Sequence, residues 1–168
     1  MSDTLSLVTE LAATLRAHGW QMATAESCTG GLIAGACTDL AGSSDWFERG
    51  FVSYSNQAKT DMLGVDAALI DTHGAVSEAV ALAMARGAVQ HSQARCSLAV
   101  TGVAGPGGGS ADKPVGTVWF GWCIDGQLDA ECRQFDGDRT AVRQATLRHA
   151  LAGLLQRLDR SWCKNPLP

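Results

Sequence analysis

Apolar residues along this chain recur at two spacings. Leu5, Val8, Leu11, Ala12 and Leu15 fall on one helical face. Ser2 or Asp3 can cap that helix, and Gly19 can end it. Trp20 to Ala25 reads as a short buried strand, followed by a turn over 26–31 and a small-residue helix from Leu32 to Thr38. A loop over 41–45 leads to a strand from Phe47 to Tyr54 and a short helix from Asn56 to Leu63, stopped by Gly64. Residues 66–71 predict another helical turn. Ser77 is placed to cap a helix that runs to about His91. Cys96 to Val100 is an apolar strand. Val115 to Ile124 and Leu128 to Phe135 read as two strands joined by a hairpin turn at Asp125-Gly126. Ala141, Val142, Ala145, Leu147, Ala150, Leu151, Leu154 and Leu155 supply the apolar face of a last helix over 138–159, and a frayed tail is expected over 163–168. Helices interleaved with strands, with a late hairpin, predict a three-layer α/β/α domain with a mixed sheet of about five to six strands.

Composition narrows the function. With 46% hydrophobic and 18% charged residues over 168 positions, the chain can bury a core, and one domain over 1–162 is expected. The net charge of −4 gives no basic footprint for nucleic acid, so no nucleic-acid partner is expected. No apolar run is long enough to span a membrane, and the first residues lack the basic and apolar regions of a signal peptide. A cytoplasmic location and no membrane partner are expected. The six cysteines include no C-x-x-C pair and no zinc-finger spacing; no metal and no cofactor are expected. Apolar helix faces and five tryptophans in a small domain lead us to expect a homo-oligomer.

Three turns stand out as places for chemistry, because each follows a predicted strand. They are AESCTGG at 25–31, SYSNQAK at 53–59 and TGVAGPGGG at 101–109. In open α/β sheets, ligands bind beyond the carboxyl ends of strands, so the three could line one pocket. The last turn packs five glycines between 102 and 109, yet it fits neither a P-loop nor a dinucleotide fingerprint. Its backbone can present several N–H groups to a phosphate or oxyanion, or it is a surface loop. Ser27 is either a helix cap or a nucleophile, with Thr29, Gly30 and Gly31 opening a helix beside it and Cys28 as a rival nucleophile. None of His18, His73, His91 or His149 lies in the motif of a catalytic base. Lys59 is one of three lysines and could act as a neutral base if desolvated, or it is a solvated helix residue.

The blocks AESCTGG (25–31), GSSDWFERGFVSYSNQAK (42–59), HGAVSEAVALAMARGA (73–88), AVTGVAGPGGG (99–109), KPVGTVW (113–119) and FDGDR (135–139) span nearly the whole chain in order. In them the chain resembles the C-terminal domain of the CinA family, the nicotinamide mononucleotide amidohydrolases. That resemblance implies hydrolysis of the nucleotide's carboxamide to nicotinate mononucleotide and ammonia by a serine/lysine pair without a metal. It implies Ser27 as the nucleophile, Lys59 as the base and Tyr54 close by. Thr101 and Gly102 match the start of the glycine loop, and Arg139 matches the arginine after Gly-Asp. The expected substrate contacts are Thr29, Gly30, Gly31, Thr101, Gly102, Gly105, Gly107, Arg139 and Arg143; the candidates for the phosphate are the glycine loop, Arg139 and Arg143, and Arg143 could equally be a solvated helix residue. Tyr54 could hydrogen-bond Lys59 or stack on the pyridine ring. Some family members carry a further N-terminal domain linked to pyrophosphatase activity, which these blocks do not match and which is not expected here. The alternative is a non-catalytic nucleotide-binding or competence- or DNA-damage-associated interaction module.

Overall fold

The computed structural model describes residues 3–164, with side chains described through Arg160. Its elements are α1 (Asp3–His18), β1 (Met22–Glu26), α2 (Leu32–Thr38), a 3-10 turn (Ser43–Asp45), β2 (Phe47–Val52), α3 (Asn56–Leu63), α4 (Ala67–His73), α5 (Glu78–Gln90), β3 (Cys96–Gly102), β4 (Thr117–Ile124), β5 (Gln127–Gln134) and α6 (Arg139–Lys164). Five strands form one mixed sheet in the order β2-β1-β3-β4-β5. β1 runs parallel to both β2 and β3, while β4 and β5 are antiparallel additions.

The side chains of the strands alternate between two cores, as the period of a strand requires. Met22, Cys96, Leu98, Val100, Val118, Phe120 and Trp122 pack with α1, α2 and α6. Ala23, Ala25, Ala99 and Cys123 pack with α3, α4 and α5. The second face is built from small residues, which lets α5 approach closely. A Cβ added at Gly121 would lie 2.3 Å from the Ala81 carbonyl oxygen, within the helix backbone. Gly121→Ala is therefore expected to destabilise the fold by about 1–3 kcal/mol, read as a lower denaturation midpoint, because backbone rather than a side chain must shift.

Local chemistry accounts for the boundaries. Ser55, Asp66 and Ser77 each cap a helix through a side-chain oxygen, onto the amides of Ala58, Ala68 and Val80. Asp125 and Gly126 both have positive φ, 49° and 82°, as a two-residue hairpin turn needs. Several expected boundaries are corrected: β2 ends at Val52 rather than Tyr54, and β4 starts at Thr117 rather than Val115. β1 starts at Met22, because Trp20 donates its amide to Leu15 and still belongs to the turn that ends α1. The helical turn expected over 66–71 is a full α4 running to His73. The last helix extends past Asp159 to Lys164 and takes in residues 163 and 164 of the expected tail. The remainder of the expected tail, 165–168, and the possible cap at Ser2 lie outside the described residues.

Candidate active site

The parallel direction of β1, β2 and β3 brings their carboxyl ends to one edge of the sheet. β4 runs the other way, so the loop over 103–116 starts and ends at that edge. β5 runs back toward it and delivers α6 there. The site is assembled from these exits.

Ser27 directly follows β1. Its amide donates to the Val100 carbonyl at 3.1 Å, continuing the strand pairing, and Ser53 does the same toward Glu26 at 2.9 Å. Ser27 and the segment after β2 are thereby set side by side. Ser27 is not a helix cap, since α2 is capped by Gly31 and no side-chain bond is made there. Its Oγ instead accepts a hydrogen bond from Lys59 Nζ at 3.0 Å and faces the Tyr54 carbonyl at 3.4 Å.

Lys59 is 1% exposed. Its Nζ donates to Ser27 Oγ and to the carbonyls of Ser53 and Tyr54, each at 3.2 Å. Burial lowers its pKa below the usual lysine range, partly offset by the nearby Cys28. The solvated-lysine reading fails because α3 turns residue 59 inward beside Leu63.

Cys28 is also buried, and desolvation pushes its thiol up to about 11. Glu26 has no exposed surface, and its carboxylate accepts from Thr29 Oγ1 at 2.6 Å and from the amides of Ile33 and Ala34 at 2.9 Å each. The open helix end anticipated after Ser27 is thus occupied by the protein's own carboxylate.

A cleft of about 310 Å³ lies over Ser27 and Lys59. Tyr54, Thr101, Gly102, Gly105, Gly107 and Arg139 line it, together with Cys28, Asn56, Ala75, Val76, Val103, Ala104 and Gly108. Among the described residues, the amides of Ala104, Gly105, Gly107 and Gly108 donate to no backbone carbonyl. They are available to a ligand. Arg139 sits at the rim, donating to the Gly105 carbonyl at 2.7 Å and reaching the Tyr54 hydroxyl at 3.4 Å. Thr101 lines the cleft, but its hydroxyl donates to the Ala75 carbonyl at 2.8 Å and holds the chain ahead of α5.

Four residues expected to contact substrate do not line the cleft. Thr29 turns its hydroxyl to Glu26. Gly30 and Gly31 have positive φ, 59° and 100°, and serve to turn the chain into α2. Arg143 donates instead to the carbonyls of Cys28 and Thr29. Sequence reasoning missed Asn56 and Glu26. Asn56 lies inside the SYSNQAK segment, two positions after Tyr54, whereas nothing in the sequence marks Glu26 as a buried carboxylate. No histidine lines the cleft, and among the described residues no cluster of three His, Cys, Asp or Glu is placed to hold a metal ion.

The family model described as "CinA C-terminal domain" matches residues 4–158. The chain belongs to the CinA C-terminal domain family. It is 54% identical over 156 residues to the nicotinamide-nucleotide amidohydrolase PncC of Pseudomonas putida, covering 93% of this chain and 98% of the relative. It is 55% identical over 138 residues to a protein of the same name from Enterobacter agglomerans, covering 82% and 84%. A crystal structure of the competence/damage inducible protein CihA from Agrobacterium tumefaciens superposes with a TM-score of 0.90 at 48% identity, over 95% of this chain and 97% of that one. The family resemblance drawn from the motif blocks therefore holds, and the mixed sheet between two helical layers is the arrangement expected from the element order.

Proposed function

We propose that this chain, acting as one domain over 1–162, hydrolyses the carboxamide of nicotinamide mononucleotide to nicotinate mononucleotide and ammonia, a step of pyridine-nucleotide salvage. The observation that carries the reading is the 3.0 Å contact between the buried Lys59 amine and the Ser27 hydroxyl on the floor of the cleft. The names of relatives at 54% and 55% identity support the substrate.

In the reaction, Lys59 acts as a neutral amine. The two N–H bonds that remain go to the Ser53 and Tyr54 carbonyls, and the position that donates to Ser27 Oγ in the charged amine becomes the lone pair. Lys59 takes the serine proton as Oγ attacks the amide carbon. Amides of the nucleophile turn or of the glycine loop hold the oxyanion, each donor contributing roughly 3–4 kcal/mol. Lys59 returns the proton to the departing ammonia. It then activates a water that cleaves the ester and frees Ser27.

Tyr54 meets Lys59 through its carbonyl and not its hydroxyl, and the residue is 60% exposed beside the cleft. We assign the ring to the face of the cationic pyridinium, a favourable cation–aromatic pairing. Arg139 and the open loop amides then meet the phosphate, which lets an acidic protein hold an anion through local groups.

The Cys28 thiol is neutral at physiological pH, so Cys28→Ser is expected to keep turnover near the wild-type rate. Loss of activity in that variant with retention in Ser27→Ala would transfer the nucleophile role to the cysteine. The reading also puts the enzyme in the cytoplasm as a homo-oligomer, for which exposed Val52 and Met62 offer apolar contact and solution mass is the check.

The test of the function is incubation with nicotinamide mononucleotide in the presence of a chelator. Equimolar ammonia and nicotinate mononucleotide are expected, with slower turnover of the riboside that lacks the phosphate. Calorimetric binding of the mononucleotide with no ammonia would instead identify a non-catalytic nucleotide-binding module.

A further inference from the structure

Two arginines project from the first turns of α6, four positions apart, and do different work. Arg139 reaches the glycine loop and Tyr54 at the cleft rim. Arg143 is half-buried and lies outside the cleft lining. Its Nε donates to the Cys28 carbonyl at 3.1 Å and its terminal nitrogen to the Thr29 carbonyl at 2.9 Å. The two carbonyls belong to the two residues that follow Ser27. The rigid guanidinium fork grips both carbonyls at once, a geometry that lysine cannot reproduce.

We infer that Arg143 is a positioning residue for the nucleophile turn rather than a phosphate ligand. The assignment rests on Ser27 being the nucleophile. Gly30 and Gly31 leave the turn with few intrinsic restraints, since both adopt left-handed backbone. Glu26 fixes the turn from one side, through Thr29 and the amides of α2. Arg143 fixes it from the other, through α6. A carbonyl and the following N–H belong to one planar peptide unit. Holding the carbonyls of Cys28 and Thr29 therefore also sets the amides of Thr29 and Gly30, and with them the line of Ser27 Oγ toward Lys59.

The experiment measures kcat and KM for nicotinamide mononucleotide, affinity for nicotinate mononucleotide by calorimetry, and amide hydrogen exchange, in wild type, Arg143→Met and Arg143→Lys. Misplacing the turn is expected to lower kcat about 100-fold in Arg143→Met. KM and product affinity are expected to stay within about threefold of wild type, the pattern of a lost transition-state arrangement. Exchange should quicken over 27–31 and not elsewhere, and added guanidinium should restore part of the rate. Arg143→Lys should show the same pattern, and it decides the matter if the methionine variant does not fold. Product affinity falling in step with kcat/KM, or unchanged kcat and exchange, overturns the inference. If wild type does not deamidate the nucleotide, the functional reading fails, and exchange alone then decides. Local quickening supports the inference, and unchanged exchange overturns it.

Discussion

Lys59→Met is expected to cut turnover by orders of magnitude while making the folded chain more stable. The lysine is 1% exposed, and its amine contacts one hydroxyl and two carbonyls. Among the described residues, no carboxylate forms an ion pair with it. Such a site disfavours the charged amine, which is why its pKa falls below the ordinary 10.5. A fold that disfavours the ammonium is penalised most where the amine must be charged, below its lowered folded pKa. The penalty fades as pH rises toward 10.5 and is gone above it. Methionine is unbranched and apolar, so it suits the slot with no charge to desolvate. The variant should therefore show a higher denaturation midpoint than wild type at neutral pH, with the advantage shrinking in alkaline buffer. Loss of the base should lower kcat about 10²–10⁴-fold, the usual contribution of general acid–base catalysis. In wild type, kcat/KM should rise with pH through a pKa below 10.5, and that limb should be absent from the residual activity of Lys59→Met. A limb that persists in the variant would assign the titration to another group.

Ser27→Ala is the second large effect. Removing Oγ deletes the atom that forms the covalent bond, so activity should fall at least about 10³-fold. The fold should hold, because the Ser27 amide, not its hydroxyl, makes the backbone bond to Val100. Binding of nicotinate mononucleotide should survive, since the glycine loop, Tyr54 and Arg139 remain. Loss of both binding and activity would mean that the serine organises the cleft instead of attacking.

Much of this arrangement is legible in the chain. Serine and glycine punctuation places α2 and α3 at Leu32–Thr38 and Asn56–Leu63, as expected from the sequence. The three polar turns converge because β1, β2 and β3 are parallel, a direction that follows from helices placed between strands. What the sequence hides depends on partners distant along the chain. Arg143 looks like a solvated or phosphate-binding arginine until α6 is known to cross the nucleophile turn, 114 and 115 positions away from the carbonyls it holds. Glu26 looks like an ordinary acid in a turn, and only the return of α2 over it turns its carboxylate into a buried cap. The length of α6 is hidden for a simpler reason. The apolar spacing read from the sequence ends at Leu155, whereas the helix continues to Lys164.

The central claim is that Ser27, served by Lys59, attacks the carboxamide of a pyridine mononucleotide. Ammonia release from nicotinamide mononucleotide, measured side by side for wild type and Ser27→Ala with product binding verified for both, tests it most directly. The account predicts one ammonia per nicotinate mononucleotide from wild type and none above background from the variant that still binds product. Ammonia release by Ser27→Ala at the wild-type rate would contradict it.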